Sequence, residues 1–377
     1  MNCFLSEDAC LKRLEVPCIY SIKKDELYEL DEQAFDLMKE CSSKEGCHVK
    51  DQDLLDYCMA EGLLVMKHVN LQRPAVEQSP VPSLRYLELQ ITDRCNLRCG
   101  HCYIGDPSGN ELGISEIRKV MDEFQKMQGL RVMITGGEPL LHTDFNEINR
   151  MLPDYFMRKV LFTNGLLLTP EILDRINVDE IQISIDGLES GHDALRGKGM
   201  FRKAMNALEL CTEKGFAVSV ATMVHRSNIN DLEEMQAIFT KAGVLEWTVD
   251  IPCPSGRMSG DSRFFLSPED GGKYLKYGFG KGLHGGGEGF GCGLHLMSVM
   301  ADGKAAKCTF YSDRPAGMIS EGLETCWKRI QPVLLSDLDC NCEHIESCRG
   351  GCRYRAERLG DPSGKDLYRC HLYDIIK

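Results

Sequence analysis

The chain has 377 residues, a formal net charge of −13 and 19 cysteines. Its length can bury a large core in two or three domains, and its acidic balance excludes nucleic acid, which needs a basic face. No apolar run approaches membrane-spanning length and no signal-peptide pattern opens the chain, so a cytoplasmic protein with no membrane partner is expected. Disulfide scaffolds are short, so cysteines this numerous in a core-forming chain point to metal or cluster ligation in a reducing compartment.

Residues 1–75 read as a separate small unit. Leu11 to Val16, Cys18 to Lys23 and Glu26 to Leu30 form three short strands, with a hairpin turn at Lys24-Asp25. Asp31 caps a helix carrying Ala34, Phe35, Leu37 and Met38 at helical spacing. Val49 to Glu61 gives a second helix, with Leu54, Leu55, Cys58 and Met59 on one face. The phrase from Leu27 to Ala34, set in this strand-and-helix order, resembles the peptide chaperone of PQQ biosynthesis and related recognition elements for ribosomal, post-translationally modified peptides (RiPPs). The resemblance implies a winged-helix-like domain that takes a leader peptide as an added strand. The pattern alone also fits a DNA-type winged helix or a plain structural cap; the acidic helix faces argue against DNA. Cys3, Cys10, Cys18, Cys41, Cys47 and Cys58 form no C-x2-C pair here, and none is assigned as a ligand. Cys18 and Cys58 fall on apolar faces as small core residues. A polar, Pro-containing linker follows, placed at 76–85.

From residue 86 to 257 strands and helices alternate. The strands are expected at 87–91, 132–135, 160–163, 180–185, 217–223 and 245–251. Helices fall between them at 115–127, 144–152, 170–175, 201–214 and 229–242, with Ser115 and Asp144 as N-caps. Such βα units predict a parallel sheet.

Directly after the first of these strands comes Cys95-Asn96-Leu97-Arg98-Cys99-Gly100-His101-Cys102-Tyr103. A 4Fe–4S cluster takes one thiolate per iron, so a local triplet caps all but one and leaves it open for another ligand. Zinc is the rival, but structural zinc usually closes four ligands, and no fourth partner lies nearby. The second strand runs into Gly136-Gly137-Glu138-Pro139. Its glycines allow close backbone approach and Glu138 can accept hydrogen bonds.

The triplet and this turn together resemble the radical S-adenosylmethionine (SAM) superfamily, with His101 at the signature's aromatic position. The resemblance implies a partial (βα)6 TIM barrel in an α/β chain. It also implies a cluster on Cys95, Cys99 and Cys102 that chelates SAM, and a 5′-deoxyadenosyl radical formed on reduction. The SAM-contact positions it implies are His101, Tyr103, Gly136, Gly137, Glu138, Pro139, Asn164, Ser184 and Asp186. The last three come from Thr163-Asn164-Gly165 and Ser184-Ile185-Asp186-Gly187, which resemble the family's third- and fourth-strand ends. No residue is assigned as catalytic.

Pro254-Ser255-Gly256-Arg257 closes the barrel region and resembles a P-x-G-R phrase of SPASM-type radical SAM enzymes. Residues 258–291 form a Gly-rich connector with Gly-Gly-Gly at 285–287. No Gly-Lys-Ser or Gly-Lys-Thr follows, which argues against a phosphate loop. From 292 to 377 the cysteines are regularly spaced: Cys292, Cys308, Cys340, Cys342, Cys348, Cys352 and Cys370. This resembles the SPASM domain, with one residue rather than two between Cys340 and Cys342. By that resemblance Cys340, Cys342, Cys348 and Cys370 hold a distal auxiliary 4Fe–4S cluster, and Cys292, Cys308 and Cys352 a proximal one. The fourth proximal ligand is Cys326, a non-cysteine group or an open iron. Zinc knuckles are the alternative for this segment. Cys211 and Cys253 stay unassigned, with Cys253 expected near the barrel mouth.

The expectation is a radical SAM enzyme with SAM and three 4Fe–4S clusters. It would form a thioether or C–C crosslink on a precursor peptide, fed by flavodoxin or ferredoxin, in an anaerobic or microaerobic setting. The alternative is a SPASM enzyme of tetrapyrrole (alternative haem) biosynthesis or sulfatase maturation. An electron-transfer or metal-storage protein is a third class, opposed by Glu138 and the barrel pattern.

Overall fold

A computed structural model of the chain describes residues 2–259, 263–283 and 287–376. Of the expected Gly-Gly-Gly, positions 285 and 286 lie outside the described residues. The first unit contains β1 (Phe4–Leu5), β2 (Ala9–Arg13), β3 (Pro17–Ser21), β4 (Glu26–Glu29), α1 (Glu32–Cys41), α2 (Gln52–Ala60) and β5 (Leu64–Val65). β2, β3 and β4 pair antiparallel in chain order. Asp25 makes the tight hairpin turn with φ of 53°, a left-handed conformation that Asp tolerates better than most residues. β5 pairs with β1, a contact the local pattern did not announce. Phe35, Met38, Cys41, Cys58 and Leu64 share a small core with Cys3 and Ile19.

Asp31 Oδ1 accepts the Ala34 N–H at 2.7 Å, and Asp51 Oδ1 accepts that of Leu54 at 3.1 Å. Each satisfies a helix-start donor that would otherwise lack a partner. Asp31→Ala should therefore cost about 1 kcal/mol. Amide exchange across Phe35 to Met38 should quicken roughly fivefold if those amides exchange through local opening of α1; unchanged exchange would remove the cap from the account.

The central sheet contains β6 (Tyr86–Thr92), β7 (Arg131–Gly136), β8 (Arg158–Thr163), β9 (Glu180–Ser184), β10 (Ala217–Met223) and β11 (Glu246–Asp250). These are parallel neighbours in chain order. Between them lie α3 (Ile114–Lys126), α4 (Phe145–Met151), α5 (Pro170–Leu173), α6 (Glu189–Arg196), α7 (Met200–Glu213) and α8 (Leu232–Lys241). α6 was not expected. Two cap assignments are corrected: Gly113, not Ser115, starts α3, and Asp144 sits at the start of α4 without a side-chain cap bond.

Among the described residues the sheet does not close. β12 (Leu296–Val299) pairs parallel to the free side of β6, and β13 (Lys304–Ala306) and β14 (Gly317–Met318) continue antiparallel. The C-terminal region thus shares the central sheet instead of standing apart. It continues through α10 (Leu323–Arg329), α11 (Ile345–Cys348), α12 (Arg353–Arg358) and α13 (Leu367–Leu372), while α9 (Pro268–Gly271) precedes it. No helix among the described residues is long and apolar enough to cross a membrane.

The first unit docks on the starts of the central strands. Cys10, Leu14, Cys18, Tyr20 and Ile22 pack with Leu130 and Phe156. Lys12 Nζ donates to the carbonyls of Gly129 and Phe156 at 2.9 and 3.1 Å. Asp25 pairs with Arg131. Arg158 Nη1 donates to the carbonyls of Ile22 and Lys23 at 2.8 and 3.1 Å, while its Nη2 holds Glu180 at 2.8 Å. Arg131 and Arg158 are buried but paired with carboxylates, and the buried Lys12 ammonium is hydrogen-bonded to carbonyls, the conditions under which burial is tolerated.

Candidate active site at the strand ends

β6 ends at Thr92, and the loop after β7 is laced to the residues that follow it. Gly137 N–H donates to Thr92 O and Glu138 N–H to Arg94 O, both at 2.8 Å. A Cβ on Gly136 would stand 2.7 Å from Thr92 O, and one on Gly137 2.4 Å from Arg94 O. The two glycines therefore let one segment of this chain approach another, a role additional to the ligand approach expected of them. The lacing fixes the start of the cysteine loop. From the other side, Arg257 N–H donates to Cys102 O at 3.0 Å and Arg257 Nη1 to Cys99 O at 3.2 Å. Gly256, at φ +53°, would carry a Cβ 2.2 Å from Cys102 O. The Pro254 to Arg257 phrase is thus a brace for the cysteine loop.

Cys95, Cys99 and Cys102 line a cavity of about 300 Å3 at the carboxyl ends of the parallel strands. His101, Tyr103, Gly136, Gly137, Asn164, Ser184 and Asp186 are in the same wall. Among the described residues, no group of three His, Cys, Asp or Glu side chains is arranged to hold a single metal ion. The three thiols stand around a space with room for a larger group, and His101 Nδ1 is buried without a hydrogen-bond partner. Leu97 N–H donates to Cys95 Sγ at 3.4 Å. Soft donors around a roomy cavity fit an iron–sulfur cluster better than a closed zinc site.

Glu138 and Pro139 are placed differently from the rest: both are buried but neither is in the cavity wall. The Glu138 carboxylate accepts from Thr163 Oγ1 at 2.9 and 3.0 Å, from Asn164 N–H at 2.9 Å and from Leu140 N–H at 3.3 Å. Burial outweighs these bonds and pushes its pKa up to about 7. As folded, Glu138 ties the ends of β7 and β8 together. Asp186 is also engaged by protein groups: Arg196 pairs with it and Met223 N–H donates to it at 2.7 Å. Burial would raise its pKa, but Arg196 and nearby histidines hold it below the usual carboxylate range.

The sequence reading did not single out Glu88, Gln182, Arg196 or Phe310, all in the wall. Arg196 comes from the unexpected α6 and reaches within 3.9 Å of Cys99 Sγ. Glu88 and Gln182 did carry a signal: each belongs to the polar set that alternates with apolar residues along its strand, Glu88 with Gln90 and Thr92, Gln182 with Glu180 and Ser184.

The C-terminal cysteines fall into two neighbourhoods. Cys292, Cys308 and Cys352 are close enough to interact: Cys352 raises the pKa of both others, and Cys292 that of Cys308. Cys340, Cys348 and Cys370 do the same, with Cys342 acting on Cys340. Backbone N–H groups of Arg353, Phe310, Arg355 and Gly350 point at Cys292, Cys308, Cys352 and Cys348 respectively. Such N–H···S bonds favour thiolates and are among the levers that tune clusters. Cys326 is elsewhere: fully buried in the main core, its Sγ donates to Met318 O at 3.4 Å.

Residues 89–237 match the family model described as the radical SAM superfamily. A mycofactocin maturase (MftC) of Mycolicibacterium smegmatis is 28% identical over 71% of this chain and 77% of its own length. An AdoMet-dependent heme synthase of Nitratidesulfovibrio vulgaris is 28% identical over 53% of this chain, and the match spans 57% of that relative. Streptococcus suis SuiB, solved bound to its precursor peptide SuiA, superposes with a TM-score of 0.71 at 14% identity, covering 98% of this chain and 100% of that one, a likeness of fold. The thiol triplet and the Gly-Gly-Glu-Pro turn both lie inside the segment that matches the radical SAM superfamily.

Proposed function

We propose that the chain is a radical SAM enzyme that modifies a ribosomally made peptide, closing a thioether or C–C crosslink. The observation that carries this is the joining, in one chain, of a three-thiol cavity at the strand ends to a small antiparallel sheet whose β4 edge is unpaired among the described residues. The similarity to MftC and to SuiB with its precursor peptide supports the same reading.

On this reading the region 86–257 is the partial barrel. Cys95, Cys99 and Cys102 hold a 4Fe–4S cluster; with SAM bound, it supplies reductive cleavage to a 5′-deoxyadenosyl radical. Ser184 and Asn164 in the wall offer polar contacts to SAM, and Gly136 and Gly137 bring the backbone up to it. Glu138 and Asp186 position: one ties β7 to β8, the other anchors Arg196 beside Cys99. Residues 292–377 act as a SPASM domain whose cysteine groups hold two further clusters, and 1–75 as the winged-helix-like leader reader. A flavodoxin or ferredoxin serves as reductant in the cytoplasm. The tetrapyrrole alternative is less favoured, because the heme synthase match covers 53% of this chain against 71% for MftC.

The test is anaerobic reconstitution followed by incubation with a precursor peptide encoded beside the enzyme, SAM and reductant. About twelve irons per chain and a peptide that has lost hydrogen mass are expected. About four irons would remove the SPASM assignment. SAM turnover with an unaltered peptide and an altered tetrapyrrole would move the alternative ahead.

A further inference from the structure

We propose that Cys253 is the fourth thiolate of the cluster held by Cys292, Cys308 and Cys352. This rests on the reading of those three as auxiliary-cluster ligands. Cys326 is no candidate, because it is locked in the main core against β14.

Cys253 follows β11 by three residues, is 3% exposed and belongs to the cavity wall. The Cys352 thiol is its neighbour across the turn, near enough for each to shift the other's pKa. A buried ion group explains why segments so distant in sequence meet. Arg355 of α12 pairs with Asp250 at the end of β11 and with Asp366 at 3.0 Å, and it also donates to Ile251 O at 3.4 Å. Asp366 Oδ2 in turn accepts the Cys352 N–H at 2.7 Å. One guanidinium thus fastens both the strand end that leads to Cys253 and the turn that carries Cys352. Arg355 and Asp366 are both buried, and truncating either would leave an uncompensated charge, so the clamp is rigid.

Four thiols then share one neighbourhood. Cys253 lines the same wall as Thr309 and Phe310, which directly follow Cys308. The Arg355 clamp brings the Cys352 turn to it, and Cys352 acts electrostatically on Cys292 and Cys308. A 4Fe–4S cluster takes one thiolate per iron, and this group supplies the full set from the chain itself. On loading, the neighbouring Cys253 and Cys352 thiols reach different irons. A cluster capped at every iron has no position for a substrate sulfur. Its role toward the peptide is then confined to exchanging electrons, with Cys253 as the ligand nearest the cavity.

The test uses the full chain with Cys95, Cys99 and Cys102 all changed to alanine, so that only auxiliary clusters assemble. About eight irons are expected in this parent, with an electron paramagnetic resonance spectrum, after reduction, that does not respond to cyanide. Adding Cys253→Ala should either make the spectrum respond to cyanide or lower the iron content by up to about four per chain. Cys326→Ala should change neither. Where Cys253→Ala does not fold, Cys253→Ser, which keeps the volume and a weaker ligand, should give a shifted spectrum. The proposal is overturned by a cyanide response in the parent, by a Cys253 variant with the parent's iron and spectrum, or by a Cys253–Cys352 disulfide in the loaded protein. Cys292→Ala separates the two levels. If it leaves iron and spectrum unchanged, the auxiliary-cluster reading itself fails. If it loses a cluster while the Cys253 variants do not, only the fourth-ligand assignment fails.

Discussion

Cys99→Ala should abolish SAM cleavage, lowering 5′-deoxyadenosine formation at least about a thousandfold, equivalent to roughly 4 kcal/mol of barrier. Cys99 is the middle thiol of the triplet, 8% exposed, with the Arg196 guanidinium 3.9 Å from its sulfur. Its neighbours are held by the backbone: Gly100 N–H donates to Leu195 O at 2.9 Å and Arg257 Nη1 to Cys99 O at 3.2 Å. Alanine keeps every one of these main-chain contacts and removes only the soft donor. The loop should therefore stay folded while about four irons are lost from the reconstituted protein. Circular dichroism, iron content and deoxyadenosine yield after chemical reduction check the three parts. A variant that still cleaves SAM within tenfold of wild type would disprove the assignment of Cys99 as a ligand.

Glu29→Pro should leave SAM cleavage intact but raise the apparent KM for precursor peptide on the order of a hundredfold, the scale on which a tether adds to weak binding. β4 pairs only with β3, so its other edge is free among the described residues. The register fixes which groups face that edge. Leu30 N–H donates inward to Pro17 O, and Glu29 opposes Cys18. Inward and outward donors alternate in an antiparallel pair, so the Glu29 and Leu27 amides point out. Proline at 29 deletes one outward N–H and crowds the edge without removing a bond to β3. This is a cleaner probe than deleting the first unit. Deletion would uncover Leu130 and Phe156 and leave Arg158 short of its carbonyl partners. The measurement is turnover of full precursor and of leaderless core by both enzymes. Equal KM values for full precursor would place leader recognition elsewhere.

The sequence made the central strands legible because each is an apolar run bounded by turn residues, and the six expected spans agree with β6 to β11 within two residues at each end. The cysteine triplet and Gly-Gly-Glu-Pro were legible because they are short and local. What escaped was long-range or context-dependent. The sequence Glu189 to Arg196 reads as polar surface, yet α6 delivers Arg196 into the cavity wall. β1 and β5 are only two residues each and exist through mutual pairing. Glu138 looked like a ligand contact because its motif says so; only the fold reveals that Thr163 and Asn164 already occupy its oxygens. Cys253 had no near neighbour in sequence, and its meeting with Cys352 depends on the Asp250, Arg355 and Asp366 ion group assembling across about 115 residues, the separation of Asp250 and Asp366.

The first unit sits on the starts of β7 and β8, while the thiol-lined cavity opens at the other ends of the same strands. A six-residue strand spans about 20 Å. A peptide anchored on β4 must therefore run the height of the sheet before any of its residues reaches the cavity. At no more than about 3.6 Å per residue, that journey takes at least six residues when straight, and more when it skirts the outer helices. If the first unit reads a leader as proposed, the enzyme would act as a ruler: the distance between anchor and reactive residue would select which side chain is modified, and residues too close to the anchor would be passed over whatever their chemistry.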